Sequence, residues 1–309
     1  MGTPLSLRAG VEDSTPSPGN LIKQYRIEEI IGGGTAGVVF RARDLRLRRP
    51  VALKFLRREL QADQVAWGRM LHEARVISRL NHPGFCAIYE VGEDQGQVYI
   101  AMEYVAARSL RQLLAGKGLP NEQIILYGSQ LAAALTHAHE RGIIHGDVKS
   151  SNVIIRPDGV VKLLDLGLAL CRPRQRRLEE YASSASLAEL GGAGGTLPYL
   201  APEILRGERP SVQSDIWALG TLLYEMTAGM LPFTGRTCFE VSLSIMVQAC
   251  PPLPKEAGSR LAAIIRRCLQ KDCAQRYAAM REVREDIERL FQYYRRVLST
   301  VFELHRLGM

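Results

Sequence analysis

Apolar and polar side chains alternate from Tyr25 to Ile31, the period of two expected of a half-buried strand. After a run of glycines, a second β-branched stretch leads to a third, Val51-Ala52-Leu53-Lys54-Phe55-Leu56. From Val65 to Leu80 the period lengthens to that of an amphipathic helix, with Glu73 among Met70, Ala74 and Ile77 on or beside its apolar face. Asn81-His82-Pro83 ends that helix, and two more strands are expected over Phe85–Gly92 and Gln97–Met102. Helical spacing then dominates. Ile124–Arg141 is a long apolar-periodic helix stopped by Gly142, and further helices are expected over Ser214–Gly229, Phe239–Gln248, Arg260–Gln270 and from Ala278 onward. A hairpin interrupts them, with Val153–Ile155 and Val161–Leu164 flanking Pro157-Asp158-Gly159.

Two stretches lack periodicity. Residues 1–22, rich in Ser, Thr, Pro and Gly, read as a disordered tail. Met1-Gly2 with Ser6 fits the loose acylation pattern, but an unmodified tail is the favoured reading. Residues 168–195 form a long polar connection holding Arg172, Arg174, Arg176 and Arg177, the cluster Ser183, Ser184 and Ser186, and a run of glycines. Connections of that length are functional or disordered.

The chemistry concentrates in Ile144-His145-Gly146-Asp147-Val148-Lys149-Ser150-Ser151-Asn152, followed by Asp165-Leu166-Gly167. A tight loop can turn Asp147, Lys149 and Asn152 into one cleft. A carboxylate orients a hydroxyl nucleophile, an ammonium offsets charge on a moving phosphoryl group, and an amide oxygen holds a metal. Asp165 would add the anionic oxygens that Mg2+ prefers. Upstream, Gly32, Gly34 and Gly37 fit G-x-G-x-x-G, with Gly33 within the run and Val39 after it. A dinucleotide fold would continue into a helix. Here a strand follows, which favours a hairpin lid over phosphates, with Lys54 arriving from the next strand. A buried ammonium needs a partner, and Glu73 can supply it. The connector Glu103-Tyr104-Val105 could hold a purine edge through its backbone, with Met102 behind it.

Composition narrows the choices little. The chain has 309 residues, 46% hydrophobic and 23% charged, with a net charge of +8, which suits a soluble protein of one large domain or two lobes. The basic residues are dispersed and there is no aromatic platform, which argues against nucleic acid as a partner. The best apolar stretch, near Ile216–Leu231, is broken by Glu225, so no transmembrane helix is expected. Cys86, Cys171, Cys238, Cys250, Cys268 and Cys273 show no CxxC spacing, and a reducing cytoplasm is the simple reading. Val283, Ile287, Leu290, Tyr294, Val297, Val301 and Leu304 recur at heptad steps. A last helix lying on its own lobe is the favoured reading, and a homodimer through this helix is the sharper one.

Taken together, these motifs resemble the eukaryotic-type serine/threonine protein kinases in their bacterial form, over roughly residues 25–290. The glycine loop 32–39, Val-Ala-Leu-Lys ending at Lys54, His145-Gly146-Asp147 through Asn152, Asp165, Ala201-Pro202-Glu203, Asp215 and Arg276 stand in that family's order. The resemblance implies an α+β, bilobal fold: a small β-rich lobe with one main helix over 23–105, a larger helical lobe over 106–291, and a helical extension over 292–309. It also implies ATP and Mg2+ as cofactors and Ser or Thr of proteins, including this one, as acceptors. A nucleotide-binding pseudokinase scaffold is the alternative. On this reading Asp147 is the base, Lys149 stabilises the transferring phosphoryl, Lys54 grips phosphates while paired with Glu73, and Asn152 and Asp165 hold Mg2+. Ile31, Gly32, Gly33, Gly34, Gly37, Val39, Ala52, Met102, Glu103 and Val105 surround ATP. Asp215 braces the catalytic loop, and Arg276 pairs with Glu203. Ser183, Ser184, Ser186 and Thr196 are the expected autophosphorylation sites. Gly146 stands where the family usually has an Arg that reads a loop phosphate, so switching by the usual route is not expected. Leu166, Ala36 and Ser150 also depart from the pattern, with smaller consequences.

Overall fold

Strand β1 (Leu21–Ile22) opens an antiparallel sheet inside the stretch that the sequence reads as tail. It pairs with the first residues of β2 (Tyr25–Gly34), so the disordered reading of residues 1–22 does not hold at Leu21 and Ile22. The structure, a computed structural model, describes residues 16–34, 37–56, 80–164 and 195–306. β3 (Gly37–Asp44), β4 (Arg49–Leu56), β5 (Ile88–Asp94) and β6 (Gln97–Glu103) complete the sheet in the order β1-β2-β3-β4-β6-β5. Strand alternation gives this sheet a dry face: Tyr25, Ile27, Phe40, Ala42, Val51, Leu53, Phe55, Tyr99 and Ala101 form one cluster. β5 starts three residues later than the sequence suggests. Phe85, expected at its start, instead bridges to Leu163 in the other lobe. The expected helix over Val65–Leu80 lies, up to its final residue, outside the described residues.

The larger lobe has its own core. β7 (Arg108–Ser109), β8 (Val153–Ile155) and β9 (Val161–Leu163) form a small sheet. Around it lie α1 (Leu110–Leu114), α2 (Asn121–His139), α3 (Pro202–Leu205), α4 (Val212–Ala228), α5 (Cys238–Val247), α6 (Gly258–Cys268) and α7 (Met280–Arg306). Helix α4 is apolar on nearly every face and accordingly sits in the middle, buried from Ser214 through Tyr224. Its start is fixed by a capping box in which Ser211 and Ser214 each accept the other's backbone amide proton. Gly229, in the left-handed conformation at φ 71°, ends it. Among the described residues no helix is long and apolar enough to cross a membrane, and no disulfide joins the described cysteines.

Helix α7 settles how the first half of the heptad seam is used. Val283, Ile287 and Leu290 are buried in the larger lobe's core, and Tyr294 packs against it. Asn121 of α2 donates to the Tyr294 hydroxyl at 3.1 Å. Four of the seven seam positions are therefore spent within the chain.

One buried ion pair ties Glu203, in α3, to the segment before α7. The Arg276 guanidinium donates to both Glu203 oxygens, at 2.7 and 2.9 Å. Its remaining protons go to the carbonyls of Gln270, Gln213 and Lys271. All five donors are used, which is what a side chain with 0% exposure requires. Replacing Arg276 with Met should strand the Glu203 carboxylate and cost about 3–5 kcal/mol, measured by urea unfolding. The double variant Glu203→Leu/Arg276→Met should recover much of that loss.

Candidate active site

The loop between α2 and β8 is held by one carboxylate. Asp215, in the first turn of α4 and 1% exposed, accepts three hydrogen bonds. The His145 and Gly146 amides donate to it at 2.8 and 2.9 Å, and His139 Nε2 lies 2.8 Å away. The turn places Gly146 at φ 73°, the left-handed region where residues with a side chain are strained. This gives a local reason for glycine at the position where the family usually carries Arg. The buried His145 ring is committed to backbone. Its Nδ1 accepts the Asp147 amide proton at 3.2 Å, and its Nε2 donates to the Leu164 carbonyl at 3.0 Å. The ring therefore positions its neighbours and has no nitrogen left for a reacting group.

Asp147 emerges from this loop with both carboxylate oxygens engaged. Lys149 Nζ lies 2.8 Å from Oδ2, and Asn152 Nδ2 donates to the same oxygen at 2.9 Å. Asn152 Nδ2 also donates to the Asp147 carbonyl at 2.9 Å. The Asn152 amide oxygen is thereby turned away from Asp147, as a metal ligand must be. Lys149 Nζ also donates to Thr196 Oγ1 at 2.6 Å, and that hydroxyl donates to Asp147 Oδ1 at 3.3 Å. A carboxylate, an ammonium, an amide and a hydroxyl thus meet within one cluster of direct hydrogen bonds. Thr196, expected as a phosphate acceptor, thus has its hydroxyl against the Lys149 ammonium and the Asp147 carboxylate.

On the facing lobe, Lys54 is buried at 4% exposure on β4, opposite Val39 of β3 and Ile100 of β6. Ala52, two residues earlier on the same face, stands opposite Met102. Gly32, Gly33 and Gly34 pair with Val39, Val38 and Gly37, so the glycine run is a β-hairpin, as the strand pattern predicted. The hairpin tip, Thr35 and Ala36, lies outside the described residues. So do Glu73, Asp165, Leu166, the basic run 172–177 and Ser183, Ser184 and Ser186. Asp165 directly follows Leu164, whose amide donates to the Asn152 carbonyl at 2.7 Å. At the connector, the Glu103 amide already donates to the Ala87 carbonyl at 2.8 Å. The Glu103 carboxylate lies 2.8 Å from Lys162 Nζ on β9 and joins the two lobes.

Several of these partners escaped the sequence reading: His139, Lys162, Tyr199 and Glu225. Tyr199 is buried, and its hydroxyl donates to Glu225 of α4. Ser150 Oγ lies 2.8 Å from that hydroxyl and donates to Glu225 Oε1 at 3.1 Å. Burial raises the Glu225 carboxyl above its ordinary range, against the hydrogen bonds from Tyr199 and Ser150. The one available signal was Glu225 itself, a carboxylate inside an otherwise apolar helix, which needs donors if the helix is central.

The protein kinase domain family matches residues 25–286. The chain is 34% identical over 282 residues to the serine/threonine-protein kinase PknB of Mycobacterium leprae, which covers 89% of this chain and 44% of that one. It is 33% identical over 287 residues to the serine/threonine-protein kinase pkn3 of Myxococcus xanthus, covering 89% and 51%. The chain therefore spans about half the length of these relatives. Among solved structures it is similar to a double-mutant PknI kinase domain of Mycobacterium tuberculosis, with a TM-score of 0.67 and 26% identity over 89% of this chain and 99% of that one.

Gly146→Ala should test the left-handed turn. We expect a loss of about 1 kcal/mol in urea unfolding, since alanine at positive φ is strained. The same substitution at Gly32, which has an ordinary φ and open space around it, should cost less.

Proposed function

The chain belongs to the protein kinase domain family, and we propose that it transfers the γ-phosphoryl group of ATP to Ser or Thr hydroxyls of proteins. The observation that carries this reading is the direct contact among Asp147, Lys149, Asn152 and Thr196. Asp147 Oδ1 already accepts a hydroxyl proton, from Thr196. An acceptor Ser or Thr entering the site would offer its hydroxyl to the same carboxylate. The hydroxyl oxygen attacks the γ-phosphorus as the bond to the β–γ bridging oxygen breaks. ADP departs, and the hydroxyl proton passes to Asp147. Lys149 lies against the same oxygens and offsets charge on the group in transit.

Asn152 and Asp165 would hold Mg2+, which when bound neutralises the phosphates and aligns them. The Asn152 amide oxygen is left for that role, and Asp165 follows directly on the strand end fixed by Leu164. The hairpin of Gly32, Gly33, Gly34 and Gly37 would cover the phosphates, and Lys54 would reach them from β4. Glu73, its expected partner, lies outside the described residues. The purine would lie between Ile31, Val39 and Ala52 on one side and Met102 at the back. The Val105 amide is the donor offered to its edge, since that of Glu103 is taken. Protein substrates would approach along residues 196–203. The free thiols of the described cysteines suit a reducing cytoplasm.

Incubation with labelled Mg·ATP and a generic Ser/Thr protein should label both that protein and the chain. Asp147→Asn should lower transfer by about 100-fold or more, and Lys54→Met should abolish it. Transfer that persisted in both variants would contradict the assignment. Phosphosite mapping of the active wild type should find phosphate on one or more of Ser183, Ser184, Ser186 and Thr196.

A further inference from the structure

We propose that Ser150 is a positioning residue for the phosphate acceptor: its hydroxyl, which shares Glu225 with the Tyr199 hydroxyl, sets the segment 196–200 against Asp147. The proposal rests on the kinase reading above. Lys149 has an extended backbone, at φ −162° and ψ 161°, and extended backbone sends successive side chains to opposite sides. The Lys149 side chain therefore goes up to Asp147 and Thr196, while Ser150, 2% exposed, goes down into the lobe.

There Ser150 meets a closed triangle. The Tyr199 hydroxyl donates to Glu225 Oε2, Ser150 Oγ donates to Glu225 Oε1, and the two hydroxyl oxygens lie 2.8 Å apart. Both hydroxyl protons go to Glu225, so Ser150 reaches Tyr199 through the carboxylate that the two share. Two neighbours in the loop thus hold two points of the docking segment, Lys149 holding Thr196 and Ser150 holding Tyr199. The two points are the ends of one short turn, since Thr196 caps the 3-10 turn Leu197–Tyr199. The upper tie touches the reacting carboxylate. The lower tie fixes the turn's height beneath it.

Removing the lower hydroxyl leaves a buried carboxylate oxygen without its donor, and the turn must reseat to compensate. On the kinase reading an acceptor peptide would lie along the turn, whereas the purine would be held by the other lobe. The effect should therefore fall on the peptide. Proline, usual in the family at this position, has no hydroxyl to supply such a tie.

The test compares wild type, Ser150→Ala and Tyr199→Phe with a Ser/Thr peptide and Mg·ATP, alongside amide hydrogen exchange over 196–200. Ser150→Ala should raise the peptide KM by about 5- to 20-fold, more than it lowers kcat, and leave the KM for ATP unchanged. Tyr199→Phe, which keeps the buried ring, should do the same, and the double variant should add little to either. Exchange over 196–200 should quicken in Ser150→Ala. Unchanged peptide KM and exchange would overturn the proposal. A lower melting temperature with no change in peptide KM would do so too, by assigning Ser150 to folding alone. A wild type that transfers no phosphate would refute the kinase reading, while the exchange comparison, which needs no activity, would still decide whether the tie exists.

Discussion

The Asp215 carboxylate is the constraint on which the site depends. Two backbone N–H groups and one imidazole converge on it in a place nearly closed to water. Those amides belong to the turn that carries Gly146 in the left-handed region, a conformation a free loop would not keep. A buried N–H without an acceptor costs about 1–3 kcal/mol, so the loop and the carboxylate hold each other. The mount is rigid because Asp215 stands in the first turn of α4, the most buried helix of the lobe, with its N-terminus fixed by a capping box.

From that anchor the catalytic loop and its surroundings are joined by a few specific bonds. Lys149 and Ser150 lie against Thr196 and Tyr199 of one short turn. Leu164 ties the loop to the strand that leads to Asp165. Glu203, beyond that turn, pairs with Arg276, and Lys162 with Glu103 fastens the lobes together. Helix α4 supplies two of these carboxylates, Asp215 at its start and Glu225 near its end, on opposite sides of the catalytic loop's reach. This largely apolar helix thus works as a frame whose two charged positions each hold part of the site.

The parts of this arrangement that could be read in the sequence are those whose signal is local. The glycine hairpin, the strand carrying Lys54, the Asp-Lys-Asn spacing and the long helices all lie within a few residues of their own evidence. The partners that completed the site do not. Thr196 lies 47 residues from Lys149, Tyr199 lies 49 from Ser150, and His139 lies 76 from Asp215, whose bracing role only the resemblance implied. Glu225 was visible in the sequence only as an interruption of an apolar run, and its donors come from two separate segments. Thr196 was read only as a phosphate acceptor; that its hydroxyl starts a buried turn beside Lys149 was not legible. The tail boundary missed Leu21 and Ile22 because two residues are too few to show alternation. The heptad seam was real, but its first half faces the chain's own α2 helix.

The most direct test of this account is the effect of Asp215→Asn on phosphate transfer. The substitution keeps the shape and replaces one acceptor oxygen with an NH2 that faces N–H donors. A misplacement of about 1 Å in a catalytic group costs about 100-fold. The account therefore predicts a fall of that order in kcat, with Mg·ATP affinity and the folded fraction nearly unchanged. A variant that transferred phosphate at the wild-type rate would contradict the claim that this carboxylate holds the site in its working form.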